Sequence, residues 1–300
     1  SGFGLRASGF GLRASGFGHN YHLKSKNLIV NSDDFGRHKL INLAVKDACN
    51  NGICRSASIM AGGEAFDDAV RISNSCEKLA VGVHFTLVMG NPVLPPSEIP
   101  TLVNSSGKFH DDFSVFVKRY LTGRINFHEV RAELSAQLRK IQNAGLKISH
   151  VDSHQHLHAL PGILEIILDL SEQAGIKAVR MPIISGFNLS IGRMGLKFLA
   201  SLGKIKAKNH GFAVPDNFIG IVAGNSAINE DRLYKLIDKI PLGTTELMVH
   251  LGKNNEILQK ICNWPHDFEA ELNAVTSQSI KEKIKIQGIK IINFAENYNS

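Results

Sequence analysis

Apolar positions along the chain switch repeatedly between a period of two and a period near 3.6. Residues 28–31 form a short apolar run that predicts a strand. Leu40, Ile41, Ala44, Val45, Ala48 and Cys49 then recur at one-face helical spacing, and the pattern stops at Asn51-Gly52. Residues 56–60 read as a second strand. Residues 80–87 alternate, with Val81, Val83, Phe85 and Leu87 on one face and Gly82, His84 and Thr86 on the other. A stretch over 90–127 carries Pro92, Pro95, Pro96 and Pro100 and reads as a long irregular insertion after the third strand. Val130, Leu134, Leu138 and Ile141 make the next amphipathic helix, closed by Gly145. "KISHVDSH" predicts a strand, and Pro161 opens a helix through Leu170. "KAVRM", "FIGIV", "ELMVHL" and "GIKIINF" supply four more strands, with helices around 190–207, 229–239 and 267–284.

About eight strands alternating with helices imply right-handed crossovers and a parallel sheet, closed as a barrel or open and doubly wound. A count near eight over about 275 residues favours the barrel. The expected fold class is α/β, a single-domain (β/α) barrel-like architecture related to the TIM barrel, with the insertion laid over one end. No coiled-coil heptad and no exposed amphipathic segment is read from the pattern. Self-association, common among barrels, leaves no signal in it.

Composition changes this picture little. Hydrophobic content of 43% and charged content of 20% suit an ordinary globular core. No apolar run approaches the roughly 20 residues of a membrane-spanning helix. The formal net charge of +7 is scattered, without the basic-aromatic interleaving that indicates nucleic acid. The opening "SGFGLRASGFGLRASGFG" repeats a seven-residue unit, so residues 1–20 read as an appended leader without structure, and 21–300 as the domain. Cys49, Cys54, Cys76 and Cys262 form no C-x-x-C pair; buried reduced thiols and a cytoplasmic location are expected.

The candidate chemistry lies at the carboxyl ends of strands, where parallel α/β folds collect their functional groups. Asp33 and Asp34 follow the first strand, His84 closes the third, "VDSHQHLH" closes the next, and His250 ends a late one. Two adjacent carboxylates leaving water repel each other unless something offsets them, and a divalent cation would do so. Asp and His together suit Zn²⁺, Mn²⁺, Co²⁺ or Mg²⁺. In an extended segment Asp152, His154, His156 and His158 would point the same way, one imidazole facing the ion and others supporting it. A capping pair at Asp33-Asp34 and a core role for His84 are the plain alternatives. His22, His38, His110, His128, His210 and His266 are placed in loops or on helix surfaces and receive no role. No nucleophile elbow, P-loop or dinucleotide fingerprint competes.

The segments "LIVNSDDFG", "GICRSASIMAGG", "VGVHFTLVMGNPV", "SHVDSHQHLHALP", "VRMP" and "ELMVHLG", in this order, resemble the YdjC-like carbohydrate deacetylase family. That family includes chitooligosaccharide and hopanoid-associated deacetylases. The resemblance implies one divalent metal ion, often magnesium, and hydrolysis of an N-acetyl group from an amino sugar. The substrate class is a chitooligosaccharide or a related sugar, including phosphorylated or lipid-linked forms. By position, the metal ligands fall on Asp34, His84 and His154, and the general base on Asp33. His250 matches the late histidine and is the expected general acid, with His156 and His158 as rivals, while Arg180 would hold a sugar hydroxyl or phosphate or a structural ion pair. Arg37-His38-Lys39 after "DDFG", His-Leu-Gly in place of His-Pro-Gly, and Phe268 before the Glu-Leu pair depart from the family pattern. Hydrolysis of another amide or a phosphoester, or metal and sugar binding without catalysis, are the rival readings.

Overall fold

The computed structural model describes residues 25–183, 191–220 and 227–298; the leader and the second half of "FIGIV" lie outside them. At its centre runs β1 (Lys26–Phe35), flanked on one side by β2 (Ser56–Ile59), β3 (Ala80–Phe85) and β4 (Ile148–Ser153). On the other side lie β6 (Gly243–Val249) and β5 (Asn217–Ile219). The short β7 (Lys290–Ile292) pairs with Asn27–Ile29 of β1, whereas β2 pairs from Asn31 onward, so the two share one edge. All pairings among these strands are parallel.

"KAVRM" contributes no full strand. It makes isolated parallel bridges, Val179 to Val151 of β4 and Ala178 to Ala213. The segment carrying Ala213 runs on into β5, at the opposite end of the strand order, so these bridges curl the sheet toward closure. The result is a curved parallel barrel wrapped by helices, with one ladder reduced to single contacts.

The helices are α1 (Lys39–Asn51), α2 (Phe66–Ser75), α3 (Phe113–Leu121), α4 (Phe127–Asn143), α5 (Ile163–Gln173), α6 (Ile191–Asn209), α7 (Glu230–Ile237), α8 (Asn255–Cys262), α9 (Phe268–Thr276) and α10 (Gln278–Ile286). The pattern over 267–284 is two helices, broken at Ser277, whose extended ψ of 137° ends one and starts the next. α2 and α8 are short segments the periodicity did not resolve. The insertion over 90–127 is not wholly irregular, since it contains α3. Two buried glutamates of α4 hold it down: Glu133 accepts from the backbone amides of Val93 and Leu94, and Glu129 from the amide and hydroxyl of Thr101. α6 corrects a further expectation, for it is an exposed amphipathic segment.

Outward-facing strand residues such as Val81, Val83 and Phe85 pack with Leu134, Leu138 and Ile141 of α4. The barrel interior is only partly apolar. Ile29, Ala178, Ile292 and Phe294 fill one level, and above them the interior turns polar. His150 stacks on Phe294 with ring centroids 3.8 Å apart. It lies over Gly82, where an added Cβ would meet the ring at 2.3 Å, so this strand position has room only for glycine.

Burial gives these histidines a testable signature. It lowers the pKa of His150 to about 3 and that of His158 to about 4. In the unfolded chain both titrate near 6.5. As pH falls below that value the unfolded chain takes up protons that the folded chain refuses, so stability is lost between about pH 6.5 and 4. Each histidine is expected to contribute roughly 1 kcal/mol per pH unit to that slope. Urea midpoints measured across the window check this, with a flatter profile expected for His150→Gln.

Candidate metal centre and active site

The ten-residue β1 carries the two carboxylates at its carboxyl end, both buried. Strict alternation would send such neighbours to opposite faces of the sheet. Instead, the β1–β2 register shifts between Ser32 and Phe35, and Asp34 adopts a left-handed backbone with φ 61°. Aspartate tolerates that region better than most residues. The bulge turns both side chains into one cavity, and the following loop is fixed by Asn42, whose Oδ1 accepts from the Gly36 amide at 2.8 Å.

Asp34 meets two imidazoles there. Its Oδ1 lies 2.9 Å from His154 Nδ1 and 3.3 Å from His84 Nε2. Neither Asp34 Oδ1 nor His84 Nε2 makes a hydrogen bond of good geometry among the described residues. The other nitrogen of His84, Nδ1, contacts Asp152 Oδ1 at 2.7 Å. A carboxylate behind one imidazole nitrogen fixes the ring and aims the other forward, as metal-ligating histidines are held. Asp152 is itself held by Ser58, which donates to Oδ2 at 2.7 Å, and by Arg180 Nη1 at 2.9 Å.

Arg180 is fully buried beneath the cavity floor. Its guanidinium donates to both oxygens of Asp33 at 2.7 Å and to Glu246 Oε1 at 2.7 Å. Asn31 adds a second donor to Asp33 Oδ1 at 2.9 Å. Arg37 Nη1 donates to Asp34 Oδ2 at 2.9 Å. Within this cluster the carboxylates of Asp33, Asp34, Asp152 and Glu246 face the two guanidinium groups of Arg37 and Arg180. Carboxylates outnumber guanidinium groups in this cluster.

The proton affinities tell the same story. Burial alone would raise the Asp34 pKa, but the His154 imidazole and the Arg37 guanidinium hold it well below the usual carboxylate range. Burial alone would lower His84, yet the carboxylates of Asp152 and Asp33 push it up to about 10. Burial and the neighbouring carboxylates push Glu246 to about 7 despite Arg180. The upward shifts of His84 and Glu246 reflect neighbouring carboxylates, whereas that of Asp34 reflects the imidazole and guanidinium beside it.

Asp33, Asp34, Arg37, His84 and His154 line a cavity of about 560 Å³, together with Met89, Gln155, His156, Phe218, His250 and Trp264. Asp34, Met89, Gln155, His156 and Asn263 in its wall are five of the six described non-glycine residues with positive φ. Backbone strain concentrates where it sets side-chain direction for function. His250 packs edge-on to Trp264 at 5.0 Å, and its Nδ1 has no described partner. Its backbone amide donates to Glu271 at 2.6 Å.

The expected extended run through "DSHQHLH" is not what forms. β4 ends at Ser153, and Gln155 and His156 take left-handed backbone, φ 55° and 56°, within a tight turn. Alternation therefore ends at His154. His156 still reaches the cavity wall, edge-on to Phe218. His158 turns away: its Nδ1 meets Ser153 Oγ at 2.7 Å and its Nε2 the Arg180 carbonyl at 2.9 Å. Arg180 is engaged by carboxylates behind the cavity and lines no part of it. His266, placed on the surface by sequence, is fully buried, stacked on Trp264 at 4.1 Å and 3.4 Å from Glu271. The structure thus brings Asp33, Asp34, His84, His154, His156 and His250 to one cavity.

Comparison with known proteins supplies the family. The profile described as YdjC-like protein matches residues 27–285. The chain belongs to the YdjC-like family. A carbohydrate deacetylase of Brevibacillus brevis is 31% identical over 273 residues, covering 90% of this chain and 98% of that protein. A chitooligosaccharide deacetylase of Escherichia fergusonii is 36% identical over 164 residues, 54% of this chain and 61% of its own. Among solved structures, a candidate cellobiose-phosphate cleavage protein of Enterococcus faecalis superposes with a TM-score of 0.74 at 26% identity. That match covers 91% of this chain and 98% of the other. Family membership accounts for the barrel. Glu246 beside Arg180 was not singled out in the sequence, although it lies at an inward position of its strand, where a period-two reading of "ELMVHL" could have found it. Asp152, read there only as pointing with the histidines, is the carboxylate behind His84.

Proposed function

We propose that this YdjC-like protein is a metal-dependent hydrolase that removes the acetyl group from an N-acetylated amino sugar. The observation that carries the reading is the group Asp34, His84 and His154. Their ligand atoms lie within 4.8 Å of one another, and the buried Asp34 Oδ1 and His84 Nε2 lack hydrogen-bond partners. One carboxylate oxygen and two imidazole nitrogens fit a divalent ion, and the doubled imidazole favours zinc, cobalt or manganese over magnesium. An ion held there supplies Lewis acidity toward a carbonyl and toward water.

The chain's own residues do the rest. Asp33, held in place by Arg180 and Asn31, accepts the proton of the attacking water. The water oxygen forms the new bond to the acetyl carbon, and the carbon–nitrogen bond breaks. His250 delivers a proton to the departing nitrogen, leaving a free amine and acetate. Burial lowers the His250 pKa, which makes its protonated form a stronger acid toward that nitrogen. Phe218 and Trp264 offer apolar walls for a sugar ring. Incubation with N-acetylglucosamine oligomers is expected to release acetate, to stop on chelation and to resume when zinc, cobalt or manganese is restored. Acetate release that survives chelation excludes this mechanism.

A further inference from the structure

The apolar faces of surface helices ordinarily point at the core. α6 is built the other way round. Its inward side is made of small residues: Ala200 and Ala207 are fully buried, and an added Cβ on Gly203 would meet Met181 Sδ at 3.0 Å. Four of its large apolar side chains point to solvent, while Leu196 faces the cavity. Met194 is 58% exposed, Phe198 64%, Leu202 50% and Ile205 61%. At about 100° per residue these four fall within an arc of roughly 80°, a continuous ridge on the far side from the small residues.

Charge decides what such a ridge fits. α6 carries Arg193, Lys197, Lys204, Lys206 and Lys208 and no acidic residue. On the helical wheel Lys197 and Lys208 border the apolar arc on one side and Lys206 on the other. Lys204 is drawn inward to the carbonyls of Pro215 and Asp216, and Lys206 pairs with Glu165. Lys208 is exposed and Lys197 half-buried. A ridge of large apolar groups flanked on one side by Lys197 and Lys208 matches the acyl–headgroup boundary of an anionic bilayer, where long basic stems reach up to the headgroups. Self-pairing through this helix would set two faces carrying Lys197 and Lys208, with no acidic residue of α6, against each other. No described helix is long and apolar enough to cross a membrane, so the contact is with a surface.

We propose that α6 docks the protein onto anionic lipid surfaces, with Met194, Phe198, Leu202 and Ile205 entering the interface. Arg193 and Leu196 of the same helix line the large cavity. Docking therefore holds the cavity one helix thickness from the lipid, whatever reaction the cavity carries out.

Flotation of the full chain with vesicles tests this independently of catalysis. Binding to phosphatidylcholine vesicles holding about 30% phosphatidylglycerol is expected to exceed binding to phosphatidylcholine alone by roughly tenfold, and to weaken as salt is raised. The double variant Phe198→Glu/Ile205→Glu is expected to lose roughly tenfold of that binding while keeping its circular dichroism spectrum and its activity on soluble substrate. Lys197→Glu/Lys208→Glu should lose the preference for anionic lipid. No binding to anionic vesicles at low salt, or binding that the apolar double variant retains, overturns the proposal. So does a dimer in light scattering that this variant dissociates without any vesicle binding, because the ridge would then belong to a second copy.

Discussion

Asp34→Asn is expected to abolish metal retention and to cut acetate release at least about 10³-fold while leaving the fold intact. The fold should survive because asparagine is nearly isosteric and tolerates the left-handed backbone that this position adopts, φ 61°. What is lost is the anionic ligand facing His84 and His154, and with it the ion pair to Arg37. Thermal unfolding with and without added zinc separates the two effects. The wild-type midpoint should rise with metal, since a ligand that binds only the folded state stabilises it by mass action. The variant's midpoint should not move. Asp152→Asn offers a graded comparison: it removes the carboxylate behind His84 but no ligand, and a loss of about 10- to 100-fold in metal affinity is expected. An Asp34→Asn protein with undiminished activity would remove the carboxylate from the chemistry.

Arg180→Met is expected to be the most destabilising single change near the site. The side chain is fully buried and its guanidinium answers Asp33, Asp152 and Glu246 together. Burial opposes its charge, yet those three carboxylates raise its pKa well above the ordinary value. Methionine matches much of the volume but leaves three carboxylates in the interior without their cation. Breaking a buried charge cluster from one side costs about 3 to 5 kcal/mol. For a domain of this size that corresponds to roughly 5 to 9 °C in melting temperature, a large share of total stability. Arg180→Lys should recover part of the loss, because it restores charge but not the planar fork that holds both Asp33 oxygens. Equal melting temperatures for wild type and Arg180→Met would show that the carboxylates do not depend on this residue.

The parallel barrel was legible because its strands are buried runs flanked by amphipathic helices, a pattern that survives without knowledge of contacts. The ladder through "KAVRM" was overcounted, since apolar character reports burial and not the number of backbone pairs a segment makes. The grouping of Asp34, His84 and His154 was legible from residue type at strand ends together with the resemblance. The turn after Ser153 was not, because "DSHQHLH" has ideal alternation, and only the left-handed Gln155 and His156 break it. Arg37 attracted notice as a departure from the family pattern. Its contact with Asp34 follows from a turn in which the Arg37 amide bonds the Asp34 carbonyl at 3.0 Å, folding the side chain back. α6 escaped notice because its apolar spacing resembles that of a core helix. The difference lies in Ala200, Gly203 and Ala207 taking the buried side.

The account rests on one cation bound by one carboxylate and two imidazoles. Anomalous scattering from crystals of the protein purified without chelator, collected on both sides of the absorption edge of the bound element, tests it most directly. The expected result is a single strong peak per chain in contact with Asp34, His84 and His154, lost in crystals of Asp34→Asn. A peak at other residues, or fully active crystals with no peak at these three, would contradict it.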